Sequence, residues 1–139
     1  MESKVLRIID ASINRAREAI RVLEDMVRFL YDDRELTEDL KKYRHDFAEL
    51  SEKFSRPDRL RERDTDQDVG TEIQAKNEYV RRSANEVSAA NFCRLQESLR
   101  SLEEWTKIDY PDLSPEFEQL RYRSYTLEKQ CAQRQKIGD

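Results

Sequence analysis

The sequence predicts an all-α fold, an antiparallel four-helix bundle built from a duplicated helical hairpin. Three observations point there. Apolar residues recur in steps of three and four along most of the 139-residue chain. Charged residues make up 40% against 37% hydrophobic, with only two Gly and three Pro. That composition favours long amphipathic helices over sheets, which need β-branched runs and turn residues. Finally, "REAIRVLED" at 17–25 and "QESLRSLEE" at 96–104 place a Glu, an Arg, a Leu and a Glu at the same intervals.

The first helix carries Leu6, Ile9, Ile13, Ala16, Ile20, Leu23, Val27 and Leu30 on one face. "YDDRE" interrupts it, and Asp33 has the chemistry of an N-cap for the next helix. Leu36, Leu40, Tyr43, Phe47, Leu50 and Phe54 form the second stripe. From Ser55 to Lys76 the periodicity stops, and Pro57, "RDTDQDVG" and Gly70 read as a long irregular connection. Asn77 can cap a third helix running through Lys107, with Val80, Ala84, Val87, Phe92, Leu95, Leu99 and Leu102 along it. "YPDLSPE" ends that helix, and Ser114 followed by Pro115 suits an N-cap with Pro in the first turn. Phe117, Leu120, Ser124, Leu127 and Cys131 continue as a fourth helix, with "QRQKIGD" frayed beyond it. Tyr43, Trp105 and Tyr122 are expected in the core.

Residues 11–28 match 90–107 at an offset of 79, with six identities in eighteen positions. "YRH" (43–45) answers "LRY" (120–122) at an offset of 77. The chain therefore reads as one domain over 1–139: a hairpin over about 3–54, a connection over 55–76 and a second hairpin over about 77–132. A second apolar side of the first helix (Ile8, Ala19, Val22, Met26, Phe29) points to a homodimer.

Net charge is −4, from 26 Lys and Arg mixed among 30 Asp and Glu. With no one-sign tail and no bilayer-length apolar run, neither nucleic acid nor a membrane is an expected partner. Without a secretory signal, Cys93 and Cys131 are expected to be reduced thiols in cytoplasm. One His and two Cys supply neither a zinc cage nor a di-iron bundle. His45, on the second helix, reads as a packing or surface residue.

The charged stripe beside the core is the informative feature. Arg15, Arg17, Arg21, Arg94 and Arg100 fall near the middle of the bundle. An unpaired charge there costs several kcal/mol, so these residues are either laced into internal ion pairs or prepared for an anion. Arg suits the anion, because its planar fork grips phosphate oxygens in pairs. Asp64, Asp66 and Asp68 alternate in the connection, as hard ligands for Mg²⁺ or as a solvated acidic turn.

"RIIDASINRAREAIRVLED", "YRHDF", "RDTDQDVG", "AANFCRLQESLRSLEEWTK" and "FEQLRYRSYTLEK" together resemble the small hydroxymethylpyrimidine-phosphate kinase domain of thiamine biosynthesis. The likeness covers about residues 7–129. That domain occurs alone or fused to thiamine-phosphate synthase, and this chain reads as the standalone form. The family's opening motif runs D-A-N-x-N-R, and Ser12 replaces its first Asn here. The resemblance implies ATP-dependent phosphorylation of 4-amino-5-hydroxymethyl-2-methylpyrimidine phosphate to the diphosphate, with Mg²⁺.

In that reaction the acceptor is already ionised near neutral pH, so no strong base is needed. The task is to hold two phosphate-bearing ligands together against their repulsion. On this reading Arg17, Arg21, Arg94 and Arg100 are the catalytic cations. Arg15, Arg44 and Arg121 bind phosphate, and Asn14 and Asn91 read the aminopyrimidine. Asp64, Asp66 and Asp68, with Glu18 or Glu97, carry Mg²⁺. Gly70 and Gly138 alone make no glycine-rich phosphate cradle, so side chains and helix ends would have to hold ATP. The alternative is a non-catalytic helical module that associates with thiamine-phosphate synthase.

Overall fold

The computed structural model describes residues 3–73 and 80–138, and helix is the only regular structure among them. The chain is all-α. Its helices are α1 (Ser3–Asp25), α2 (Arg34–Ser51), α3 (Arg56–Glu62), α4 (Ala84–Thr106) and α5 (Ser114–Gly138). The four long helices form a ring: α1 packs on α2 and α4, and α5 packs on the same two from the other side. Neighbours run antiparallel. Gln96 reaches Glu128 while Glu103 reaches Arg121, and Asp33 pairs with Arg134 while Lys53 pairs with Glu116. The apolar stripes meet inside this ring, where Ile13, Ile20, Leu40, Phe47, Leu95 and Phe117 are all essentially inaccessible.

Residues Met26–Leu30 continue α1 as a π-helical turn, with Tyr31 N–H donating to the Met26 carbonyl at 3.1 Å. The wider turn rotates the residues after it off the core face. Leu30, expected in the stripe, is therefore 65% exposed. Asp32 then takes a positive φ of 48°, in the left-handed region that Asp tolerates better than most residues. Asp33 caps α2 as expected, its Oδ1 accepting the Leu36 N–H at 2.9 Å.

The connection is less irregular than its sequence suggests. Ser55 Oγ accepts the Asp58 N–H, and Pro57 lies in the first turn of α3, where its missing donor costs nothing. Asn77, expected to cap the third helix, lies outside the described residues. Helix α4 starts later, at Ala84, because Ser83 Oγ accepts the Glu86 N–H at 3.2 Å and the Glu86 carboxylate accepts the Arg82 N–H in return. Val80 precedes the helix and is exposed.

Ser114 is not an N-cap. A 3₁₀ turn (Pro111–Leu113) feeds directly into α5, and the Ser114 hydroxyl donates instead to the Glu103 carbonyl at 2.8 Å, tying α5 to the end of α4. Helix α5 runs on through Gly138, where fraying was expected. Tyr43 is buried and donates its hydroxyl to the Leu120 carbonyl, but Trp105 and Tyr122 are not core residues and face solvent. Of the second apolar side of α1, Ala19 and Met26 are buried in the core while Ile8 and Val22 are half-buried. Phe29 stands in the open, and with Val22 and the displaced Leu30 it lines an apolar groove. No helix among the described residues is long and apolar enough to cross a membrane.

Candidate functional site

The duplicated charged turn builds one ion-pair motif twice. Glu24 on α1 is 5% exposed and accepts Arg44 of α2 through both carboxylate oxygens, at 2.7 and 3.4 Å. Glu103 on α4 is 1% exposed and accepts Arg121 of α5 in the same forked manner, one bond at 2.9 Å. Arg21 and Arg100 sit one turn before each Glu, at 3.9 and 3.3 Å. The Glu103 bonds hold Arg121 above the ordinary guanidinium range. Arg44 and Arg121, expected to close on phosphates, instead clamp the two helices of each hairpin. A carboxylate buried this deeply requires its charge partner, which withdraws both guanidiniums from ligand duty. Arg21 and Arg100 are drawn into the same clusters rather than into a cleft.

Two open clefts flank Arg15. The first, about 560 Å³, lies between α1 and the segment after α3. Lys4, Arg7, Arg15 and Arg63 bring cations to it, Asn14 an amide, and Asp64 and Asp68 carboxylates. The second, about 510 Å³, lies between α1 and α4, where Ser12, Ser98 and Ser101 add hydroxyls to Arg15, Arg81, Arg94 and Glu97. Arg15 and Arg94 hold equivalent places in the repeat, 79 residues apart, so the two copies do converge here. Both are exposed, and neither makes an ion pair with another described residue. Ser12 donates its hydroxyl to Ser101 at 3.1 Å across the helix pair.

Other expected site residues fall elsewhere. Arg17 donates to Asn14 Oδ1 at 3.0 Å and lines neither cleft. Asn91 is 8% exposed, donates its amide N–H to the Val87 carbonyl of its own helix and lines neither cleft, its Oδ1 buried without a partner among the described residues. Glu18 and Asp66 are exposed and line neither cleft, whereas Glu97 lines the second and accepts the Cys93 thiol at 3.1 Å. No three acidic, His or Cys side chains come together among the described residues in a way that could hold a metal unaided. The expected set of Asp64, Asp66 and Asp68 with Glu18 or Glu97 is thus not assembled, since only Asp64 and Asp68 share a cleft, each with one oxygen committed to its own loop. Asp64 accepts the Gln67 N–H at 3.1 Å and Asp68 the Gly70 N–H at 2.8 Å.

Sequence reasoning passed over Lys4 and Arg7, two turns and one turn before Ala11 on the face that carries Asn14 and Arg15. Their helical spacing was available as a signal. It gave no sign of Arg59, whose α3 was read as loop. Arg59 is buried and pairs with Asp10 at 3.0 Å.

The two thiols differ sharply. Burial pushes Cys131 up to about 12, and Cys93 stands exposed at the second cleft. Labelling with a disulfide reagent at pH 8 should therefore modify one thiol per native chain, and the second only after denaturant is added. Fast labelling of both in native protein would contradict this packing.

A family model described as the ThiD2 family matches residues 7–130. The chain belongs to the ThiD2 family. Relatives of this member are named thiamine-phosphate synthase. That of Nostoc punctiforme is 38% identical over 128 residues, covering 92% of this chain and 35% of the relative. That of Gloeobacter violaceus is 42% identical over 128 residues, covering 91% and 36%. That of Rhodopirellula baltica is 42% identical over 121 residues, covering 87% and 32%. The chain spans about a third of the length of these curated relatives. No solved structure matches it.

Proposed function

We propose that the chain is an enzyme of thiamine biosynthesis, an ATP-dependent kinase that converts 4-amino-5-hydroxymethyl-2-methylpyrimidine phosphate to its diphosphate. The observation that carries this reading is Arg15, one unpaired guanidinium shared by two adjoining clefts. Two phosphate-bearing ligands repel each other, and a cation between them offsets that repulsion as donor and acceptor approach. An oxygen of the acceptor monophosphate forms the new bond to the terminal phosphorus of ATP, and the bond from that phosphorus to the departing ADP oxygen breaks.

The first cleft suits the nucleotide polyphosphate, with Lys4 and Arg7 as its cations beside Arg15. Magnesium bound with a nucleotide takes only one or two protein carboxylates, the rest being phosphate and water. Asp64 and Asp68 would hold it there, where it would neutralise charge on the transferring group. The second cleft suits the acceptor, with Arg94 for its phosphate and Ser12, Ser98 and Ser101 for the aminopyrimidine's donor and acceptor edge.

A coupled assay offering ATP, Mg²⁺ and either the pyrimidine alcohol or its monophosphate tests this. Turnover of the monophosphate alone is expected. Absence of turnover with both would overturn the assignment. The length of the relatives favours a second reading, a helical module that associates with thiamine-phosphate synthase through the exposed Phe29 and Leu30. Capture of purified synthase by a chain without ATP-dependent turnover would select it.

A further inference from the structure

Asp10 is 3% exposed, yet it lies at the foot of the first cleft. A buried carboxylate needs hydrogen bonds, and this one accepts four. Arg63 grips both oxygens at 2.9 Å, Arg59 donates at 3.0 Å, and Asn14 adds a longer bond at 3.4 Å. The two Arg residues come from the first half of the connection, 49 and 53 positions further along the chain. Asp10 therefore joins α1 to α3 and to the residue that starts the acidic segment.

That join matters because the acidic segment has little else to hold it. Residues 64–73 are all exposed, and their hydrogen bonds to described residues stay within the segment, as in Asp68 to Thr65 and Ile73 to Gly70. No ion pair ties Asp64, Asp66 or Asp68 to another described element. The placement of Asp64, Thr65 and Asp68 along the cleft is thus inherited from Arg63, and the placement of Arg63 from Asp10. One carboxylate also offsets only one of the two guanidiniums it holds, so the cluster stays cationic beside the cleft.

We propose that Asp10 is a positioning residue for the polyphosphate side of the site. Through Arg63 it fixes the acidic segment where a magnesium-bound nucleotide is received. This rests on reading the chain as a nucleotide-dependent phosphotransferase. The role is selective by construction, since the second cleft contains none of Asp10, Arg63, Asp64 or Asp68.

The test is steady-state kinetics of full-length Asp10→Asn and Arg63→Gln, varying MgATP and the pyrimidine monophosphate separately, with calorimetric binding of MgATP alongside. Loss of an orienting partner of this kind should raise the KM and Kd for MgATP by about 10- to 100-fold. The KM for the monophosphate should stay unchanged. Arg63 is more than a third exposed at the end of a short helix, so its variant keeps the test usable if Asp10→Asn does not fold. A fall in kcat with an unchanged MgATP KM in a folded variant would make Asp10 merely structural and overturn the proposal. If the wild-type chain binds MgATP without turnover, the kinase reading fails and the binding comparison alone decides the role of Asp10. Failure of the wild type to bind MgATP would overturn the proposal outright.

Discussion

Arg15→Ala should lower kcat/KM for phosphoryl transfer by about 10²- to 10³-fold, the loss typical of one preorganised donor at a site of developing charge. Arg15 is exposed and makes no ion pair with another described residue, so its removal should leave the helical signal and the unfolding midpoint near those of the wild type. Because it borders both clefts, the loss should appear with either ligand saturating. Arg94 borders only the second cleft. Its alanine variant should weaken the monophosphate and spare the nucleotide. An Arg15→Ala chain with wild-type turnover would remove the shared cation from the mechanism.

Glu103→Ala should lower stability by about 3 kcal/mol in chemical denaturation, because it strands a guanidinium at a largely buried site. Glu103 is 1% exposed, and the Arg121 side chain it holds is only 17% exposed. The effect belongs to the pair rather than to either charge. Replacing both at once, as in Glu103→Leu with Arg121→Met, should recover most of the loss, since matched apolar groups avoid the desolvation cost. Additive single and double losses would contradict the clamp. Glu24 and Arg44 should behave alike with a smaller cost, because Arg44 is 24% exposed.

These two expectations separate residues that the sequence writes in one stripe. Periodicity made the four long helices legible, since a step of three and four leaves little choice of face. The repeat was legible too, in Glu24 with Glu103 and Arg44 with Arg121. What periodicity could not say was which Arg finds a Glu across a helix pair. Arg44 and Arg121 differ from Arg15 and Arg94 in their neighbours across the bundle, whereas Arg17, Arg21 and Arg100 bond along their own helices. Of the five Arg residues weighed between internal ion pairs and an anion, Arg21 and Arg100 pair with Glu24 and Glu103, Arg17 bonds Asn14, and Arg15 and Arg94 line the clefts.

Local misreadings have local causes. Helix α3 is too short to show an apolar period, so its only signals were Ser55 and Pro57, and with it went the Asp10–Arg59 pair. Leu30 was misplaced because a π-turn adds a fraction of a residue that a regular period does not include. Of the alternating Asp residues, Asp64 and Asp68 line the first cleft while each spends an oxygen on a backbone N–H two or three residues ahead, and Asp66 lies outside it.

The decisive measurement is a ternary structure with the pyrimidine monophosphate and a non-hydrolysable ATP analogue. The Arg15 guanidinium should lie within hydrogen-bond distance of phosphate oxygens from both ligands, with the monophosphate between α1 and α4. Phosphates bound away from Arg15, or both ligands lodged in one cleft, would contradict the shared-cation mechanism.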